Sequence, residues 1–352
     1  MSQKQKTFLR YIHNFRGLAI LLIVVGHLSV FFIDEPIDGL PIIYTILKNG
    51  STYFIFIAGF LFQFLSKKYN YTSYLKNKLF NVVLPYILIS IPAIILCLFK
   101  NEPYYPSSSF TSSFSEWPLF YKVIILYITG GHFFHFWFMP MIFLFYLFSP
   151  LFIWLDKNPK CYRILPLLIC LSVIIPRPQD DLFIFQNFVH FIPTYILGMF
   201  CCHYQDDVLI FMKKYWQSAL LISVFLITLE IGINTLNLPS RIFYFNTVSK
   251  SVLSILFVYF LWRFDSFLPE WFHHILAKLA DFSFGIYFLY AYIMYTYLIA
   301  LKYLNTDIST IFKSYNFIVF VSLLILVMFT NIVTIILAKR FLKEKSKFLV
   351  GC

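Results

Sequence analysis

Two ionisable side chains, Arg16 and His27, lie eleven residues apart in the first long apolar stretch of the chain. In an α-helix this spacing is about three turns, so both side chains point to the same side, roughly 16 Å apart along the axis. An arginine fork suits a phosphate, and an imidazole can accept and return a proton near neutral pH. Each residue alone also fits a structural role, as an arginine reaching the membrane surface or a histidine bonded to a nearby carbonyl. The aligned pair favours a site that holds an anion at one end and moves a proton near mid-membrane.

Composition places this pair inside a membrane. Hydrophobic residues make up 60% of the 352 residues and charged residues 12%, whereas a soluble globular protein has about 25% charged residues. Apolar runs of about twenty residues recur along the whole length, which predicts an all-α polytopic membrane helical bundle with about ten transmembrane helices. The bundle is expected to be one domain, residues 1–352. The predicted spans lie near residues 15–33, 43–66, 79–99, 136–155, 162–176, 183–203, 215–234, 244–262, 279–301 and 315–338.

The distribution of basic residues predicts the orientation. With ten spans, most of the 28 lysine and arginine residues fall on the side of the N-terminus. The positive-inside rule then predicts a multi-pass protein of the cell (inner or cytoplasmic) membrane with both termini cytoplasmic. The net charge of +12 is spread over short loops, and no nucleic-acid motif accompanies it, so nucleic acid is not an expected partner. Residues 117–129 are either an interfacial helix or an eleventh span, which would put the C-terminus outside.

Metal and disulfide chemistry are not expected. The six cysteines show no paired metal-ligand spacing and lie mostly in or beside apolar spans. His132 and His135 would be neighbours on a helix, but no third ligand accompanies them. No phosphate-binding glycine loop and no nucleophile elbow occur. Any chemistry is therefore expected inside the membrane domain, around residues such as Arg16 and His27.

Several short motifs, in chain order, resemble those of the acyltransferase-3 family of integral-membrane O-acyltransferases, in its form without a fused periplasmic domain. They are the Arg16–His27 span, Tyr53–Phe60, Lys78–Tyr86, His135–Phe138 continuing to Pro150, and Phe282–Tyr290. The chain departs from the family pattern at five positions. His13 occupies a position where the family has an aspartate, and Ala58 one where it has a serine. Lys78 and Asn81 replace the two arginines of Arg-x-x-Arg, and Tyr290 replaces a late histidine.

The resemblance implies roles for particular residues. Arg16 and His27 would be catalytic, and Arg16, Lys78 and Asn81 would contact the acyl donor. The candidate acceptor-site or supporting residues are His135, Trp137, Ser283, Tyr287 and Tyr290. Whether His27 acts as a general base or carries the acyl group briefly stays open.

The resemblance also implies the substrates. The expected co-substrate is cytosolic acyl-CoA, by family frequency acetyl-CoA, without a permanently bound cofactor. The expected acceptor is a hydroxyl of an envelope glycan or of its lipid-linked saccharide precursor, outside the cytoplasm. The main rival is a multispan exporter of a polysaccharide or small molecule, although no repeated halves are evident. A third possibility is a non-catalytic receptor or scaffold, which no motif favours.

Overall fold

The structure is a computed structural model that describes residues 3–30, 40–104, 113–175, 177, 183–235, 245–303 and 308–351. These residues form helices and turns without a β-strand, which confirms the all-α prediction. Their α-helices are α1 (Gln3–Val30), α2 (Leu40–Leu47), α3 (Ser51–Leu65), α4 (Tyr71–Lys78), α5 (Leu84–Lys100), α6 (Leu119–Thr129), α7 (Phe138–Leu147), α8 (Ser149–Lys157), α9 (Leu165–Ile174), α10 (Ile184–His203), α11 (Gln205–Thr235), α12 (Phe245–Arg263), α13 (Glu270–Asp281), α14 (Ser283–Tyr303), α15 (Ile308–Leu342) and α16 (Ser346–Val350).

All ten predicted spans contain helix, but fewer helices are long enough to cross a membrane. Among the described residues eight helical segments are long and apolar enough, and α7 with α8, bent by 53°, forms a ninth if counted as one broken span. The predicted span 162–176 instead holds the end of a 3-10 helix, Pro159–Ile164, and the ten-residue helix α9. Ten helical residues rise about 15 Å, half the thickness of the hydrocarbon core. The part of the chain that the structure describes thus offers eight or nine helical spans, in keeping with an expected number of about ten.

Proline and glycine account for two of the interruptions. Helix α8 begins with Ser149 and Pro150, and proline lacks the N–H that would continue the hydrogen-bond ladder of α7. Helix α6 starts after Pro118 and ends at Gly130, where a φ of 70° favours glycine. With 11 residues, α6 rises about 16 Å and is too short to cross the bilayer alone. The region 117–129 thus fits the interfacial or re-entrant alternative.

Helices α3 and α10 pack with their backbones in close approach. A Cβ added to Gly198 of α10 would lie 2.1 Å from the carbonyl oxygen of Phe56, and one added to Gly59 of α3 would lie 2.0 Å from that of Tyr195. Small residues permit such contacts between membrane helices, where dispersion and weak Cα–H···O interactions stabilise the pair. This reciprocal glycine contact sets the position of α3 in the bundle.

A polar network holds the first half of α1 against α13. The Asn14 amide nitrogen lies 2.7 Å from Nδ1 of His273, whose Nε2 lies 2.9 Å from the backbone carbonyl oxygen of Asp265. Because that carbonyl can only accept, Nε2 carries the proton and Nδ1 accepts from Asn14. The guanidinium of Arg10 also bonds the Asp265 carboxylate. These contacts orient the face of α1 that carries Arg16.

Side chains of α11 and α12 secure the last turn of α2. The Asn246 amide donates to the Thr45 carbonyl at 2.9 Å, and the Lys250 ammonium donates to the next carbonyl along the chain. Carbonyls at a helix C-terminus have no intrahelical partner, and a cation there also complements the helix dipole. Lys48 forms an ion pair with Glu230 of α11 at 2.7 Å. The turn between α2 and α3 is therefore held at a defined place.

Candidate active site

A cavity of about 420 Å³ runs along α3 inside the bundle. One end is lined by residues between Leu65 and Lys78, around α4, and is called the α4 end below. The other is lined by Asn49 and Gly50, just before α3, and by Arg177; it is called the α2–α3 end. The 15 residues of α3 rise about 22 Å, so the cavity extends along most of the thickness of the bundle.

The described residues that line this cavity carry positive and no negative charge. Their cationic side chains are Arg16, Lys68, Lys78 and Arg177. In surroundings of low dielectric constant, several cations around one space attract an anion strongly. The lining therefore suits an anionic substrate.

The Arg16 side chain is bonded through Nε, whereas its two terminal nitrogens are not bonded to described residues. Its Nε donates to the Ser283 hydroxyl at 2.7 Å, across 267 positions of sequence, and its guanidinium carbon lies 5.5 Å from the centre of the Phe284 ring. The terminal nitrogens form no hydrogen bond with the described residues, and Arg16 lines the cavity. The side chain can thus offer its two terminal N–H groups to an anion.

Lys78 lies at the α4 end of the cavity, close enough to Arg16 for the two charges to interact, whereas Asn81 does not line the cavity. The ammonium of Lys78 lies between two aromatic rings, 5.4 Å from the centre of Tyr74 and 4.7 Å from that of Tyr146. Asn81 is exposed and donates to the backbone of its own helix. In an α-helix positions 78 and 81 would share a face, but a π-helical turn over 79–83 widens the spiral between them. The expected donor contact of Asn81 thus gains no support from the geometry.

His27 lies nearer the α2–α3 end, since Ile23, one turn before it, packs on Gly50. Its Nδ1 lies 3.0 Å from the Ile23 carbonyl oxygen and 3.0 Å from the hydroxyl oxygen of Tyr290. Because a carbonyl only accepts, the proton of a neutral imidazole belongs on Nδ1, which leaves the lone pair on Nε2. The backbone hydrogen bond expected of a structural histidine is thus present, and it favours the tautomer that has its lone pair on Nε2.

Of the five expected supporting residues, Ser283 contacts Arg16 and Tyr290 contacts His27. His135, Trp137, Ser283 and Tyr287 line the cavity, whereas Tyr290 does not line it but contacts two residues that do, His27 and His135. The Tyr287 hydroxyl donates to the backbone carbonyl of His135 at 2.6 Å, which ties α14 to the turns before α7. Among the described residues, no three His, Cys, Asp or Glu side chains come together as metal ligands.

Arg177 was not expected at the site. Its Nη1 donates to the Asn49 side-chain oxygen at 2.6 Å, and its guanidinium carbon lies 4.1 Å from the centre of the Trp137 ring. Asn49 adopts a left-handed φ of 62° that lets the turn between α2 and α3 face the cavity. The signal in the sequence was weak, because a lone arginine between two prolines in a polar loop has no periodicity.

The fold and this cavity define a polytopic membrane protein with a cationic cavity that also contains a histidine. A family model described as an acyltransferase domain matches residues 9–338, nearly the whole chain. The chain therefore belongs to the acyltransferase-3 family and is a membrane acyltransferase. Neither a curated protein nor a solved structure matched the chain.

Proposed function

We propose that the protein is an O-acyltransferase that moves an acyl group, in the first instance acetyl, from acyl-CoA to a hydroxyl of an envelope glycan or its lipid-linked precursor. The observation that carries the proposal is the single cavity that passes Arg16 and Lys78 and continues to His27. Donor and acceptor can then meet inside the bundle from opposite ends. No separate carrier domain is needed.

Acyl-CoA fits the α4 end by its charge and its length. Its phosphates would contact the terminal nitrogens of Arg16 and the ammonium groups of Lys68 and Lys78. The flexible pantetheine arm would then carry the thioester along α3 toward His27, roughly 16 Å from Arg16 along α1. Exclusion of bulk water protects the thioester from hydrolysis and strengthens the electrostatic contacts.

His27 would perform the chemistry through Nε2. In one route Nε2 removes the proton of the acceptor hydroxyl, whose oxygen attacks the thioester carbonyl carbon. In the other, Nε2 attacks first, the coenzyme A thiolate leaves, and the acyl-imidazole then transfers the group to the hydroxyl. Both routes require the proton on Nδ1, which the Ile23 carbonyl favours.

The proposed orientation puts the α4 end in the cytoplasm and the protein in the cell (inner) membrane. Lys67, Lys68, Lys76 and Lys78 cluster at this end, and short basic segments stay on the cytoplasmic side. Both termini would lie on that side with them. Acyl-CoA, a cytosolic metabolite, would then enter the cavity at its cationic end.

The proposed function is tested by mass analysis of surface glycans from cells with the gene, without it, and with His27→Ala at matched protein level. We expect ester-linked acyl groups, removable by mild alkali, only in cells with the intact gene. Alkali-stable acyl groups, or identical glycans in the three strains, would contradict the proposal. An exporter would instead change how much glycan reaches the surface and not its acylation.

Replacing Arg16 with lysine is expected to weaken donor binding. Lysine keeps the charge but loses the fork and the bond to Ser283, so the binding free energy should weaken by about 1.5–3 kcal/mol, roughly 10- to 150-fold in affinity. Ser283→Ala should act in the same direction but less, because the charge and fork remain. Titration of a non-hydrolysable acyl-CoA analogue measures both effects. Unchanged affinity in Arg16→Lys would remove Arg16 from the donor site.

Replacing Tyr290 with phenylalanine is expected to slow transfer without abolishing it. The variant loses the hydroxyl near Nδ1 of His27, but that nitrogen keeps the Ile23 carbonyl. The cost should be about 0.5–1.5 kcal/mol, roughly two- to tenfold in kcat. Tyr290→His should be tolerated. Tyr53→Phe, in a buried tyrosine outside the cavity lining, is the matched control, and complete inactivity of folded Tyr290→Phe would make Tyr290 a catalytic group.

A further inference from the structure

His135 is buried, and the polar atoms of its ring have no partner. The residue is 1% exposed, and neither Nδ1 nor Nε2 forms a hydrogen bond with the described residues. A buried polar atom without a partner destabilises a fold, and such atoms in native structures call for a ligand, a water or a function. His135 also forms part of the wall of the active-site cavity.

The two imidazoles of the cavity flank the same aromatic rings. The ring centres of His135 and Tyr290 are 5.1 Å apart, and those of His27 and Tyr290 are 5.5 Å apart. The Phe134 ring lies 5.3 Å from each of the two imidazoles. A substrate group bound at His27 would therefore also lie close to the imidazole of His135.

The imidazole of His135 is held by its surroundings and not by bonds to its nitrogens. The Tyr287 hydroxyl secures the backbone carbonyl, and the Phe136 ring centre lies 4.0 Å from that of the imidazole. His132, three residues earlier, also has one buried ring nitrogen without a partner, Nε2, but it differs from His135 in two respects. Its Nδ1 lies 2.9 Å from the Leu126 carbonyl oxygen, and the residue does not line the cavity.

We propose that His135 is a catalytic residue whose N–H donates a hydrogen bond to the carbonyl oxygen of the acyl group during transfer. The inference rests on the proposed function. As the acceptor hydroxyl oxygen bonds to the thioester carbon, its proton moves to Nε2 of His27 and negative charge develops on the carbonyl oxygen. His135 stabilises that charge. The C–S bond then breaks, the thiolate takes the proton back from His27, and the products are an ester and free coenzyme A.

This role explains why the nitrogens have no partner in the free protein. A donor aimed at charge that develops during the reaction stabilises the transition state more than the ground state. If another protein group occupied the N–H, that bond would have to break in each turnover. The ring therefore stays in place through packing, while its nitrogens form no hydrogen bond with another described group.

The test compares His135→Phe, His135→Asn and His132→Phe in the full-length protein. In His135→Phe, kcat should fall about 10²- to 10³-fold, the usual loss for one oxyanion donor. The KM for acyl-CoA and the affinity for a non-hydrolysable analogue should change less than threefold. His135→Asn, whose amide can donate, should fall between this variant and the wild type. His132→Phe should keep kcat near that of the wild type.

Thermal unfolding gives a second measurement. If His135 had only a structural role, its replacement would lower the melting temperature. Phenylalanine removes two unpartnered polar atoms from an apolar site, so His135→Phe should melt no lower than the wild type. A lower melting temperature, an unchanged kcat, or an equal loss of kcat in His132→Phe would overturn the inference. If the wild type itself forms no ester, the proposed function is wrong. If the wild type is active and His135→Phe is equally active, only this inference is wrong.

Discussion

Replacing His27 with alanine is expected to abolish acyl transfer while donor binding stays close to that of the wild type. His27 lines the cavity, and the bond of its Nδ1 to the Ile23 carbonyl favours the tautomer with the lone pair on Nε2. Loss of a general base costs about 10²- to 10⁴-fold in rate. Loss of a residue that carries the acyl group itself would leave no turnover through that route. Arg16 and Lys78 at the α4 end remain, so the anionic part of the donor keeps its contacts.

Single-turnover transfer and titration of a non-hydrolysable acyl-CoA analogue separate the two effects in His27→Ala. His203→Ala is the matched control, because His203 ends α10, pairs with Asp156 at 2.7 Å and does not line the cavity. His203→Ala should leave kcat unchanged. If His27→Ala kept more than a tenth of the wild-type kcat, or lost analogue binding as strongly as Arg16→Lys, His27 would have a positioning role instead.

Replacing Gly198 with alanine is expected to prevent stable packing of α3 against α10. The new Cβ would lie 2.1 Å from the Phe56 carbonyl oxygen, a backbone atom inside a helix that cannot rotate away. The two helices would have to separate, and overpacking of this kind costs about 1–3 kcal/mol or more. Because α3 forms one wall of the cavity, separation would also widen the path between Arg16 and His27.

Gly232→Ala is the control for Gly198→Ala, since a Cβ at Gly232 of α11 meets no atom within 4 Å. There, alanine should be neutral or stabilise the helix by up to about 1 kcal/mol, through its better helix propensity. Thermal unfolding in detergent, read by size-exclusion fluorescence, compares the two variants. Equal melting temperatures would show that the bundle accommodates the added methyl group and that the close approach is not required.

Tertiary structure decided which of the predicted spans are one long helix and which are shorter or bent helices. Hydropathy located helix in every predicted span, because an apolar run in a bilayer must satisfy its own backbone. It could not separate the ten-residue helix α9 from a full span, or detect the 53° bend between α7 and α8. Helix length and direction depend on proline positions and on packing. Mean hydropathy over a window of residues contains no information about either.

Tertiary structure also distinguished residues that look equivalent in the sequence. Lys78 and Asn81 are spaced to share a helix face, and a π-helical turn separates them. His132 and His135 lie three residues apart, yet one bonds a carbonyl and the other lines the cavity. Neither difference follows from spacing, because the local backbone departs from the regular α-helix in both segments.

The sequence by itself determined the membrane class and the alignment of Arg16 with His27, since both depend on local apolar composition and on the fixed rise and rotation of one helix. Only the tertiary structure decided what those two residues meet. Ser283 reaches Arg16 across 267 positions, Tyr290 reaches His27 across 263, and Arg177 lines the α2–α3 end of the cavity. Contacts between distant segments are set by the packing of helix on helix, and helical periodicity holds no information about which faces will meet.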